Sequence, residues 1–128
     1  MENIDMIRDL VSKIRKEVKK NGLLSPAVSD SLTKMRAYAI QDESPKLTKT
    51  IRLVLEHLEA QSKFLIPIPS DEEILDEEGE AVVESVEFSG SDAEQLESFN
   101  YLLDLFNDYK RPSSIEDIEL YKQALLNF

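Results

Sequence analysis

Residues 25–58 read SPAVSDSLTKMRAYAIQDESPKLTKTIRLVLEHL, and this stretch decides the fold class. It holds two helix starts of one kind, Ser25-Pro26 and Ser44-Pro45. A serine ahead of a helix accepts a hydrogen bond from an orphan backbone N–H, and a proline in the first helical position has no N–H to lose. Each start is followed by an apolar stripe on one helical face. The first stripe is Val28, Leu32, Met35 and Ala39; the second is Leu47, Ile51, Val54 and Leu58, with Leu55 beside it. Leu65 falls in register one turn beyond the expected end. The two segments match at an offset of 19 residues, with Ser25/Ser44, Pro26/Pro45, Val28/Leu47, Leu32/Ile51 and Met35/Val54 aligned. Two copies are too few for a solenoid, so the match reads as shared start chemistry.

Upstream, Ile4, Ile7, Val11, Ile14 and Val18 form another stripe, predicting a first helix over about residues 4–21. Gly22 supplies the positive φ that ends it, and Lys16, Lys19 and Lys20 complement the negative end of its dipole.

Downstream the helical period breaks. Residues 64–69 read FLIPIP, apolar but interrupted by prolines, so the segment is expected to be extended. Asp76-Glu77-Glu78-Gly79 reads as a turn, and Val82, Val86 and Phe88 share a face of the β-branched segment after it. The expectation is a small β-hairpin of residues 73–76 with 80–88, packed on the helices because an isolated hairpin is marginal in water.

The helical pattern then resumes. Ser91-Asp92-Ala93-Glu94 is a capping box opening a fourth helix to about Lys110. Leu96, Phe99, Leu103 and Phe106 form its main stripe, and its other faces are apolar as well, which predicts a central helix touching most of the others. Pro112 stops it. A fifth helix restarts at Ser114 and runs through Ile118, Tyr121 and Leu125 to Phe128, an apolar end expected to be docked. The fold class expected is mainly α: one domain over residues 1–128, a bundle of about five helices with an acidic hairpin inserted between the third and fourth at about residues 65–90.

Charge is divided between the halves. Residues 1–64 carry 12 Lys/Arg against 9 Asp/Glu, a net of +3, whereas residues 65–128 carry 3 against 17, a net of −14. Seven of the ten residues in 71–80 are acidic. The overall net of −11 argues against nucleic acid as a partner, because phosphate binding needs cations that displace counterions. No stretch approaches the ~18 consecutive apolar residues of a membrane span, and the N-terminus lacks the unbroken apolar run of a signal peptide. Cysteine is absent, which removes disulfides, thiolate metal sites and cysteine nucleophiles. A cytoplasmic protein is the expectation.

Catalytic constellations are missing. The three glycines are isolated, so there is no phosphate loop, and one histidine cannot make a nucleophilic triad. The acidic run fails as an EF-hand: with Gly79 as the sixth position, the first would be Ile74 and the twelfth Ser85. No metal or cofactor is expected. His57, the only histidine, raises the alternative of a histidine phosphotransfer-like domain. That motif places a Lys and then a Gly one turn after the histidine, whereas here Leu58, Glu59, Ala60 and Gln61 follow. The basic stretch Lys13, Arg15, Lys16, Lys19 and Lys20 reads as a solvated helix face, with pairing to the acidic half as a further role.

These features point to a non-enzymatic protein-interaction module. Its acidic docking surface comprises Asp71, Glu72, Glu73, Asp76, Glu77, Glu78 and Glu80, and a specific form is an inhibitor or immunity-type protein masking a basic partner. Residues 64–68 offer apolar surface either to a second copy or to their own bundle, and the monomer is expected.

Overall fold

The computed structural model describes residues 3–68 and 91–128. They form five helices: α1 (Asn3–Asn21), α2 (Pro26–Gln41), α3 (Pro45–Gln61), α4 (Asp92–Asn107) and α5 (Pro112–Leu126). No strand occurs among the described residues. The hairpin expected at residues 73–76 and 80–88 lies outside them.

The helix ends follow local chemistry, with two departures from expectation. Gly22 has φ +88° and its N–H bonds the Val18 carbonyl at 2.9 Å. Among the described residues nothing lies within 4 Å of the place a Cβ would take, and the positive φ is what selects glycine there. Ser91 caps α4 as expected, its hydroxyl accepting from the Glu94 N–H at 3.3 Å. Ser25 and Ser44 do not cap with their side chains. The Ser25 hydroxyl donates to Glu17 at 2.6 Å and that of Ser44 to Asp42 at 3.2 Å. A carboxylate is the stronger acceptor, and proline in the first turn has already removed one orphan donor. The second departure is at the α4–α5 junction. Helix α4 ends at Asn107 rather than Lys110, and Pro112 is the first residue of α5 rather than only a stop. Ser114 is accordingly buried inside the first turn of α5 instead of starting it.

The stripes read from sequence supply most of the core, with Ile4 and Leu96 only partly buried against it. Ile7, Val11, Ile14, Val18, Val28, Leu32, Met35, Ala39, Leu47, Ile51, Val54, Leu58, Phe99, Leu103 and Phe106 are all buried. Helix α1 packs on α2 and α4, α3 packs on α2 and α5, and α4 packs on α5, so the main contacts close a ring in the order α4–α1–α2–α3–α5. Helix α4 is therefore not a hub touching most other helices. Its many apolar faces have another cause: besides α1 and α5, it is covered by the irregular segment of residues 64–66. Phe64 and Ile66 are 0% and 1% exposed, folded into their own bundle. The Phe64 ring meets Phe99 edge-on at 5.4 Å, its N–H bonds Gln95 Oε1 at 3.2 Å, and the Ile66 carbonyl accepts from the Ser98 hydroxyl at 2.6 Å.

Candidate functional site

The seven acidic residues expected to form the docking surface, Asp71, Glu72, Glu73, Asp76, Glu77, Glu78 and Glu80, lie outside the described residues. The described residues give their framework. Residues 69–90 hold nine acidic residues and no basic one, whereas the described residues hold 15 Lys/Arg and 16 Asp/Glu. The charge division seen along the sequence thus becomes a nearly neutral helical body and one strongly acidic connection.

That neutrality is built partly from pairing across the ring. Arg8 of α1 contacts Asp108 at 3.2 Å and donates from Nε to the Asn107 carbonyl at 2.9 Å. Arg15 pairs with Asp104 and donates to the Asn100 carbonyl at 3.2 Å. These pairs are exposed and contribute little individually. They do join the basic first helix to the acidic fourth. Lys46 reaches Glu119 of α5 at 3.4 Å.

The acidic connection departs from a tightly held stem. Leu65 donates its N–H to His57 Nε2 at 3.0 Å, between the Phe64 and Ile66 anchors already described. The Tyr121 hydroxyl, buried in α5, donates to the Ser98 carbonyl at 3.0 Å, next to the Ser98 hydroxyl that holds Ile66. Burial raises the Tyr121 hydroxyl above its ordinary range. At the other end the chain returns at Ser91, the cap of α4. Residues 69–90 therefore leave from beside α4 and come back at its N-terminus. Sequence reading missed Gln95 and Ser98, two buried polar residues inside an apolar helix; such residues signal a satisfied partner.

His57 is 6% exposed, with Phe64 at 5.8 Å and Phe128 at 4.7 Å, both edge-on. Burial pushes its pKa below the usual 6.5. A phosphoacceptor histidine needs an accessible, basic nitrogen; here Nε2 already serves the Leu65 N–H. The geometry gives His57 a stem-holding task instead. Phe128, though 58% exposed, contributes its ring to that contact.

Six further cations line two grooves. Lys13, Lys16, Glu17 and Lys20 of α1 line a cavity of about 310 Å³ with Ala27 and Ser31 of α2. Arg36 and Ile40 of α2 line one of about 620 Å³ with Ser44, Pro45, Thr48, Lys49 and Arg52. The second set was invisible as a group in sequence because its members sit on two helices. Among the described residues there is no group of three or more metal-ligating side chains, and no helix is long and apolar enough to cross a membrane. No family model, no curated protein and no solved structure matches the chain.

Proposed function

We propose that the protein is a non-enzymatic interaction module whose acidic connection docks a basic protein surface. The contact residues are Asp71, Glu72, Glu73, Asp76, Glu77, Glu78 and Glu80, and the partner is masked as by an inhibitor or immunity-type protein. The observation that carries this reading is the concentration of charge: nine acidic residues and no basic ones in 69–90, joined to a body with almost no net charge. The firm stem at 64–66 supports it, because a contact surface held at both ends loses less entropy on binding than a free tail. Complementary charge of this kind mainly accelerates encounter and makes it salt-sensitive. The test is capture of a basic partner at low and high salt by the wild-type chain and by a chain with those seven carboxylates replaced by amides. Retention at low salt, release at high salt and loss in the amide variant support the proposal. No retained partner, or equal capture by the variant, overturns it.

A further inference from the structure

We propose that the groove between α2 and α3 is a second docking site, of opposite polarity, for an acidic segment of a partner protein that carries aliphatic side chains among its carboxylates. Arg36, Lys49 and Arg52 converge on one cavity of about 620 Å³, and among the described residues Glu43 is the only carboxylate in its lining. Among the described residues neither Arg36 nor Lys49 makes an ion pair, and the Arg52–Glu56 contact is a long, exposed 3.8 Å. A pair of that kind is worth little and is readily exchanged. Among the described residues Arg36 Nε is buried with no hydrogen-bond partner. A buried donor without an acceptor costs free energy.

The apolar part of the groove narrows the occupant. Ile40 is 52% exposed and faces the same cavity as Pro45. A polyphosphate backbone would leave that surface unused, and the net charge of −11 repels a long polyanion. A short peptide segment meets less of that repulsion, since charges beyond a Debye length of about 8 Å are screened. Its carboxylates match the three cations, and an aliphatic residue covers Ile40. A partner with a basic surface and such a segment would engage the acidic connection and this groove together, yet either contact can fail without the other.

The test is a fluorescence-anisotropy titration of the full chain with a labelled short Asp/Glu peptide containing a central Leu-Leu pair. Saturable binding at low salt is expected. The exposed-site double variant Lys49→Glu/Arg52→Glu should weaken it about tenfold or more, while Lys13→Glu/Lys16→Glu in the neighbouring groove should leave it unchanged. A peptide with Ser-Ser in place of Leu-Leu should bind several-fold more weakly. Absence of saturable binding overturns the proposal, as does equal binding by the Lys49/Arg52 variant, by the Ser-Ser peptide or by inorganic phosphate in competition. The chain with amides at the seven acidic positions should bind the peptide as the wild type does. Binding seen only in that variant would make the chain's own acidic run the occupant and overturn the assignment to a partner. Circular dichroism of each variant confirms that the helices are intact.

Discussion

The N–H of Leu65 donates to Nε2 of His57 across 3.0 Å, tying the start of the acidic connection to α3. A neutral imidazole accepts at only one nitrogen, so this bond places the proton on Nδ1 and requires His57 to be uncharged. Protonation would remove the acceptor and bury a charge among Phe64 and Phe128.

Stability should consequently depend on pH through His57. Its folded pKa lies below 6.5, the unfolded value, so on acidification the unfolded chain takes up a proton first. Stability is full above 6.5 and falls as pH drops from there toward the lowered folded pKa. Asp42 and Glu119 titrate well below this window, the latter held at about 2 chiefly by its hydrogen bond from Gln123. Urea unfolding on either side of pH 6.5 should show the loss in the wild type and little of it in His57→Gln. Equal pH dependence in both would contradict the role given to His57.

Ser98 links α4 to the same stem. Ser98→Ala removes the hydroxyl that serves the Ile66 carbonyl at 2.6 Å and leaves that buried acceptor short of a partner. A loss of about 1–3 kcal/mol is expected in denaturant unfolding. A change near zero would mean that the segment is held by its apolar contacts alone.

The helices were legible in sequence because apolar periodicity, Ser-Pro starts and Gly22 are local signals. The stem was less so. Periodicity has nothing to measure in FLIPIP, and the partners of residues 64–66 are His57 behind them and Gln95 and Ser98 some 31 or 32 residues ahead. The apolar excess of α4 was visible, but its cause was misassigned to more helix neighbours because an irregular covering segment leaves no pattern. The Ser25 and Ser44 caps failed because the competing acceptors, Glu17 and Asp42, lie outside the helix each serine precedes.

A second tie joins two turns of the ring. Asp42, between α2 and α3, accepts from the Tyr109 hydroxyl at 2.5 Å and is also approached by Ser44 and Lys110. The Tyr109 hydrogen bond is the main reason its carboxyl stays below the usual 3.8. Tyr109→Phe should cost about 1.5–3 kcal/mol, the range for a hydrogen bond to a charged group. The deficit should be present above pH 3.8 and shrink as acid protonates Asp42. Thermal melts of the two proteins across that range would check both the size and the sign.

Phe106 is fully buried on α4 within the ring. Phe106→Ala should cost on the order of 3–5 kcal/mol, a large share of the stability of an ordinary domain. A chemical melt close to wild type would mean that the packing of α4 against α1 and α5 has been misjudged.

The most direct test of the central claim is salt-dependent capture by matched chains. One is wild type; the other carries amides at Asp71, Glu72, Glu73, Asp76, Glu77, Glu78 and Glu80. The wild type is expected to retain a basic partner at low salt and release it at high salt, while the amide chain, with an unchanged helical spectrum, retains none. Capture that persists in the amide chain, or a wild-type chain that retains nothing at low salt, would contradict it.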